Sequence, residues 1–509
     1  MALADDLRHL IEYDNEKVLR ILRGLIGELP RSYETRLLLG DAYLRGLQFD
    51  LALEQYRIAR SLAPNARAPA IKVALCQVYT GKYAAALAEL EVLVQRGRDE
   101  YALALVGLLL HRLGRPAEAI TRFRTLIDSA PKVNNQILFG LQGLMLALRD
   151  QKQLPEADKV AARLLGHIQQ HPDHAPAGLH SLNTSFDYFE WSRLADKGEL
   201  AVLLTRHAAK LPDTRFFPDS FVLPEQRAAF MDYAAHQTAG AVYIVKHRHG
   251  QGGQSIHLTD QAAIAANAQD AVVQRYIDDP YLVDGKKAHM RIYGLVSANG
   301  ELRIHVYKDG IVRFAPEPYQ RGPGWLENVA MHITNTALHR GHPQLKIETD
   351  PSKENAGNIW SLNAYLSRIA ADGHDAAAVF TEIARLVGHF VLMLRDDGMF
   401  NRQAEMGPGR SFLPKLFGLD VLLDSKARPW LIEIQRSPAW NGPPLVQRIN
   451  NRLAMTLARM NIGPILVDTM SATQVAEIQS GASAITQRER AIEDQNRGAF
   501  VRLVHGATD

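Results

Sequence analysis

Small residues recur in the first third of this chain at a spacing that no β-strand uses. Ala52, Ala86 and Ala119 stand 34 and 33 residues apart. Leu39-Gly40 and Tyr43 precede the first, and Tyr56, Ala59 and Pro64 follow it. Gly81 and Tyr83 precede the second, with Leu90 after it; Val106-Gly107 and Gly114 precede the third, with Phe123 and Pro131 after it. A period of this length holds two helices and their turns. Small side chains let the paired helices approach, and the aromatic ring fills the gap to the next pair. Such pairs cannot bury their apolar faces alone, so they stack into an α-solenoid with a concave surface. A looser fourth unit runs from Gln136 to Ile168 around Ala157, and Asp14 to Pro30 reads as the end of an earlier one.

The spacing matches the tetratricopeptide template, so residues 1–168 are expected to form a solenoid of that kind. Residues 169–180 carry Pro172, Pro176, Gly178 and three histidines, and read as a linker. Those histidines, and the pair His247 and His249, lack the cysteine or paired acid that would complete a metal site. With 58 basic and 55 acidic residues the net charge is +3, which demands no nucleic acid. No run of 18 apolar residues appears, so no membrane span is expected. The first ten residues carry Asp5, Asp6 and Arg8 and have no signal-peptide core. The one cysteine, Cys76, excludes an internal disulfide framework and fits a reducing, cytoplasmic setting.

Beyond residue 180 the period changes to that of strands. Gly418 to Asp424 and Trp430 to Gln435 read as a hairpin, turning at Asp424 to Pro429. A hairpin symmetric about Lys426 and Ala427 sets Asp420 opposite Glu433. Strict alternation then puts Glu433 and Gln435 on one face and Trp430, Ile432 and Ile434 on the other. Two carboxylates and an amide oxygen converging there suit a hard cation such as Mg²⁺, which commonly accompanies phosphates. Upstream, Ala241 to Lys246 is an apolar strand ending in a lysine. It runs into a glycine loop, Gly250 to Gly253, whose backbone N–H groups could cradle phosphate. That loop matches neither the P-loop nor the dinucleotide fingerprint. Ala271 to Ile277 and Met290 to Val296 read as further strands, followed by an Asn299-Gly300 hairpin turn. Lys308-Asp309-Gly310 reads as another turn, leading into Ile311 to Ala315.

These pieces, in this order, resemble the tubulin tyrosine ligase-like branch of the ATP-grasp ligases. The set comprises Phe217 to Pro224, Tyr243 to Lys246, the glycine loop, Val273 to Ile277, Asp284 to Arg291, Tyr307 to Arg313, Glu317-Pro318-Tyr319, His332 to Asn335, Phe417 to Asp420 and Trp430 to Gln435. The resemblance implies a fold of α + α/β type: the solenoid, then a two-lobed α+β ATP-grasp domain over 181–465, with 466–509 as a peripheral helical tail. It implies ATP and Mg²⁺ as cofactors, with Lys246 and Lys287 on the phosphates and Gly252 and Gly253 near them. Gln274, Arg275, Tyr276 and Ile277 would hold adenine, with His289, Thr334 and Asn335 beside the nucleotide and the incoming amino acid. Asp420, Glu433 and Gln435 would bind Mg²⁺. Arg291 and Arg313 would bind substrate carboxylates or stabilise an acyl phosphate, roles that suit the guanidinium fork.

The implied reaction joins a free amino acid to a carboxylate of a protein or peptide acceptor recruited by the repeats. Three positions depart from the family pattern. His247 stands where proline is common, His289 where an acid precedes the arginine, and Gln435 where the last metal ligand is asparagine. Two other readings fit the same residues: a non-catalytic scaffold with a degenerate ATP-grasp domain, and a small-molecule amide ligase.

Overall fold

The computed structural model describes residues 15–46, 48–97, 99–129, 133–171, 191, 194, 196–208, 216–248, 256–297, 302–400, 415–435, 442–462 and 500–503. The first part is a run of antiparallel helices: α1 (Asn15–Glu28), α2 (Tyr33–Arg45), α3 (Phe49–Leu62), α4 (Arg67–Tyr79), α5 (Tyr83–Arg96), α6 (Glu100–Arg112), α7 (Pro116–Ser129), α8 (Asn135–Asp150) and α9 (Leu154–Gln170). The first helix of several pairs opens on a side-chain cap. Ser32 accepts from the Thr35 N–H, Asp99 from Ala102 and Asn134 from Ile137, each satisfying a donor that the helix leaves unpaired. The repeat residues meet as the period requires. A β-carbon on Gly40 would lie 2.5 Å from the Tyr56 ring, and one on Gly143 would lie 2.2 Å from Phe123. Glycine is therefore the residue that lets these backbones close onto the buried rings. The solenoid's last helix runs to Gln170, two residues into the expected linker. Residues 172–180 of that linker lie outside the described residues.

Two antiparallel sheets follow α10 (Lys197–Ala208). The smaller contains β1 (Ser220–Leu223), β2 (Tyr243–His247), β3 (Ile256–Thr259) and β4 (Ala271–Arg275), ordered β1-β4-β2-β3. Tyr243 and Val245 point to one face, where they pack with Phe230 of α11 (Arg227–Ala235) and Ala265 of α12 (Ala262–Ala266). Val242 and Ile244 take the opposite face beside Tyr276, and Lys246 follows them in the alternation.

The larger sheet contains β5 (Leu282–Val283), β6 (Lys286–Ser297), β7 (Arg303–Phe314), β8 (Ile359–Ser361), β9 (Lys415–Leu423), β10 (Pro429–Gln435) and β11 (Phe500–Leu503). Its main order is β10-β9-β6-β7-β11, with β5 on β6 and β8 on β7. Between β7 and β8 lies the short α13 (Val329–His332). Ala288, Met290, Val312, Leu419 and Val421 form one face of this sheet. They pack with α14 (Leu362–Ala371) and α15 (Ala376–Asp396). By length and composition α15 could cross a membrane; here Val379, Ile383, Val387, Phe390 and Leu394 are buried in that core.

The opposite face carries Tyr293, Leu295, Tyr307 and Leu416. These join Leu445, Ile449 and Leu453 of α16 (Pro444–Ile462) in the apolar core that also holds α5 to α9. Solenoid and second domain therefore share one continuous core.

Two expectations about these elements need correction. Lys308-Asp309-Gly310 is not a turn, because β7 runs straight through it. The pairing of β7 with β6 slips there by two residues, and the Gly310 N–H donates to the Asp309 carboxylate at 2.8 Å. A side chain at Gly310 would put its β-carbon 2.5 Å from the Arg291 carbonyl oxygen, so this glycine serves close strand approach rather than reversal. The tail read as helical contains β11, whose Phe500 to Leu503 pair with Tyr307 to Ile304 on the edge of β7. Residues 463–499 lie outside the described residues, as does the Asn299-Gly300 turn.

Candidate functional site

The large sheet forms the floor of the site. Ala288, Met290 and Ile292 of β6 face the core, so Lys287, His289 and Arg291 face the other way. Register adds the neighbours. Arg313 on β7 lies opposite His289, and Asp420 on β9 lies opposite Arg291. Glu433 on β10 lies opposite Asp420, and Gln435 opposite Gly418. The two expected acids are thus paired across the hairpin, by a route other than simple symmetry. A β-bulge at Ile432 separates Leu431, opposite Val421, from Glu433, opposite Asp420. Leu431 and Ile434 therefore share the core face, and Trp430 does not join them as strict alternation predicted.

The small sheet supplies the roof. Lys246 Nζ donates to Gln274 Oε1 at 2.8 Å and reaches across to the Ile432 carbonyl at 3.4 Å. Gln274 completes the relay by donating Nε2 to Ser220 Oγ at 2.8 Å. Lys287 Nζ donates to the Tyr276 hydroxyl at 2.8 Å and lies 4.5 Å from the centre of that ring. The hydroxyl also bonds His332 Nδ1 at 2.8 Å, while His332 Nε2 donates to the Trp325 carbonyl at 2.7 Å.

Charge in this space is unbalanced. Burial pushes the Lys246 ammonium down to about 8, against the opposing pull of Glu433. Burial, with repulsion from Lys246, brings Lys287 down to about 7. Arg313 is brought down to about 10 by burial and then by the Arg291 charge. His289 falls to about 3, chiefly through burial, so its imidazole is neutral. It bonds the Thr334 hydroxyl through Nδ1, and its Nε2 stands 4.0 Å from Asp420.

Burial works against charge on Arg291, but Asp420 more than offsets it. The carboxylate accepts from Arg291 Nε and, at 3.0 Å, from Nη2, and the guanidinium is held well above its ordinary value. Burial alone would raise Asp420; Arg291, His289 and Arg313 hold it below the usual carboxylate range. Among the described residues, Lys246, Lys287 and Arg313 have no carboxylate within ion-pair distance. Buried cations in that condition mark a place where an anion belongs.

Other expected site residues are placed differently. Arg275 Nη1 donates to the Val242 and Tyr276 carbonyls, tying down the end of its own strand, and Ile277 follows half-buried. Asn335 Oδ1 accepts from the Ala337 N–H and opens a turn beyond Thr334. Gly252 and Gly253 lie outside the described residues. His332 and Ser220 had no assigned role; the signal for His332 was its place at the head of the His332-Ile333-Thr334-Asn335 run.

The donor set fits Mg²⁺ in its chemistry. Glu433 makes no hydrogen bond or ion pair among the described residues, and Asp420 stands opposite it. Mg²⁺ typically takes one or two carboxylates and completes its shell with phosphates and water, so it needs no protein cage. No cluster of three His, Cys, Asp or Glu side chains occurs among the described residues.

Two antiparallel sheets facing one another across converging lysines define an ATP-grasp architecture. Residues 180–464 match the tubulin-tyrosine ligase family, and the chain belongs to it. The chain is 29% identical over 262 residues to a probable beta-tubulin polyglutamylase of Tetrahymena thermophila, covering 49% of this chain and 21% of that protein. It is 28% identical over 238 residues to tubulin polyglutamylase TTLL5 of Homo sapiens, covering 47% and 18%. It is 30% identical over 254 residues to tubulin polyglutamylase TTLL7 of Homo sapiens, covering 48% and 28%. The chain thus spans less than a third of the length of each of these relatives.

Proposed function

We propose that the protein is an ATP- and Mg²⁺-dependent ligase that joins glutamate to a carboxylate of a polypeptide acceptor. The observation that carries this reading is the group of cations, Lys246, Lys287 and Arg313, that lack counter-ions among the described residues and gather over one sheet face. Lys246 and Lys287 are the groups for the phosphates of ATP, and Asp420, Glu433 and Gln435 are the oxygen donors for Mg²⁺. Arg313, whose guanidinium lacks an acid among the described residues, receives a carboxylate of the incoming amino acid. The relatives' names specify glutamate; an added acid brings two carboxylates to a site with two arginines. Phosphoryl transfer to the acceptor carboxylate gives an acyl phosphate. The amine attacks that carbonyl carbon and gives up a proton, and phosphate leaves with the C–O electron pair. The protein's part is largely positioning and charge neutralisation. His289, neutral and fixed by Thr334, can hold a substrate amine through a ring nitrogen. The helical repeats recruit the acceptor, whose identity does not carry over from the relatives.

Calorimetry with ATP in the presence and absence of Mg²⁺, on the wild type and Glu433→Ala, tests this. The wild type is expected to bind Mg²⁺-ATP, and the substitution to weaken the Mg²⁺-dependent part. A wild type that binds no nucleotide overturns the reading.

A further inference from the structure

His332 is buried at the end of α13, and both nitrogens of its ring are engaged. The Trp325 carbonyl can only accept, so Nε2 carries a proton. Burial brings the imidazole down to about 4, against the opposing effect of that bond, so the ring is neutral at pH 7. A neutral ring protonated at Nε2 leaves Nδ1 as an acceptor. The Tyr276 hydroxyl therefore donates its proton to Nδ1 across the 2.8 Å contact. A phenol has one proton to give, so the Tyr276 oxygen is left to accept from Lys287 Nζ, also at 2.8 Å. From Lys287 through Tyr276 and His332 to Trp325, every bond runs in one direction.

Rings hold the imidazole in that orientation. The centres of Tyr276, Tyr319 and Trp325 lie 5.5, 5.6 and 5.4 Å from its own, the two tyrosines edge-on. The segment that carries Tyr319 and Trp325 is tied down in turn. Tyr319 Oη and Arg321 Nη2 donate to the Asp278 carbonyl at 3.1 and 2.6 Å, and the Arg321 guanidinium lies 5.3 Å from the centre of the Trp325 ring.

Lys287 has three N–H donors and gives one to Tyr276. The charged and titratable groups that face it are Lys246 of β2, His289 of its own strand, Tyr276 after β4 and His332 of α13. None of these is a carboxylate, so two donors are left for phosphate oxygens.

We propose that His332 is a positioning residue for nucleotide binding: by taking the Tyr276 proton it turns the phenol oxygen onto Lys287 and holds that ammonium, charged, where the phosphates of ATP arrive. The role rests on the ligase reading above for its nucleotide, and on the hydrogen-bond chain for its geometry. An acceptor fixed beside an ammonium favours the charged form. Without His332 the hydroxyl is free to rotate, and Lys287 loses that acceptor.

Two measurements on the full chain test it. The first is the pH dependence of Lys287 acetylation by acetic anhydride, followed by peptide mass spectrometry without nucleotide. The second is calorimetry with Mg²⁺-ATP at pH 7. Tyr276→Phe keeps the ring and removes only the hydroxyl; His332→Leu removes the acceptor; His332→Asn keeps an oxygen near the place of Nδ1. The wild-type midpoint is expected at about pH 7. Tyr276→Phe and His332→Leu should each lower it by about one pH unit and weaken Mg²⁺-ATP about tenfold, the scale of one hydrogen bond to a charged group. The double variant should be no weaker than either single one, because both cut the same chain. His332→Asn should stay within about threefold of wild type. A merely structural His332 would give losses that add to those of Tyr276→Phe, and that result overturns the proposal. So does a Lys287 midpoint unmoved in both Tyr276→Phe and His332→Leu. A wild type that binds no Mg²⁺-ATP sinks the ligase reading, and the acetylation midpoints then decide the hydrogen-bond chain by themselves.

Discussion

Replacing Lys287 with methionine should stabilise the empty protein at neutral pH while removing its affinity for nucleotide. Lys287 is 7% exposed, and its ammonium falls from the ordinary 10.5 to about 7. A lysine held below its unfolded value carries a penalty for being charged. That penalty is complete below about pH 7 and is relieved as pH rises from 7 towards 10.5. At about 1.36 kcal/mol per pH unit, the gap sets an upper limit of about 5 kcal/mol. Methionine keeps an unbranched side chain, one atom shorter, and removes the charge. It also removes the bond to the Tyr276 hydroxyl and the contact with that ring, together worth about 1–3 kcal/mol. The variant should therefore gain about 2–4 kcal/mol at pH 7, a gain that shrinks towards pH 10. Denaturant unfolding at pH 7 and pH 10 measures both values. With Mg²⁺-ATP at a hundred times its dissociation constant, the wild type should gain about 2.7 kcal/mol and the variant almost nothing. A Lys287→Met protein less stable than wild type at pH 7, or one with the wild-type rise in stability towards pH 10, would refute the argument.

The same site yields a pH signature for binding. An anion that restores the charge on Lys287 keeps full affinity below about pH 7 and loses it as pH rises past that value, with proton uptake visible as a buffer-dependent heat. Arg291→Met should cost about 3–5 kcal/mol by leaving the Asp420 carboxylate buried without its partner. Adding Asp420→Leu should restore most of that in chemical denaturation. Gly143→Ala should cost about 1–3 kcal/mol, because its new methyl group meets the Phe123 ring; Phe123→Leu in the same chain should recover part of the loss.

Much of this site was readable because strands impose a period of two. Lys287, His289 and Arg291 alternate with Ala288, Met290 and Ile292, so one apolar strand displays three polar groups on one face. The opposition of Asp420 and Glu433 was readable too, since both flank a short turn. The bulge at Ile432 was not, because nothing in Leu431-Ile432-Glu433 distinguishes a bulged residue from a paired one. Lys308-Asp309-Gly310 misled for a related reason. Asp-Gly is turn chemistry, and only the nearness of the Arg291 carbonyl reveals that this glycine serves packing. The strand at Phe500 was hidden by its surroundings. A four-residue strand owes its conformation to the β7 edge it joins, a partner nearly two hundred residues away in sequence. Arg275 shows the limit of motif transfer: the position was legible, but its bonds to the Val242 and Tyr276 carbonyls depend on how the chain turns after β4.

The core shared by the solenoid and the large sheet has a consequence for reach. Met145 and Leu148 of α8, Leu164 of α9 and Leu453 of α16 lie in the same apolar cluster as Tyr293 and Leu295, so the repeats are fused to the floor of the site rather than tethered by a flexible strap. If, as proposed, the repeats recruit the acceptor, what they hold is set at a fixed offset from Arg291 and Arg313. Selection would then be a matter of measured distance along the partner. Lengthening the partner between the gripped element and the residue to be modified would shift which residue falls under the arginines, with no change in how tightly the partner is held.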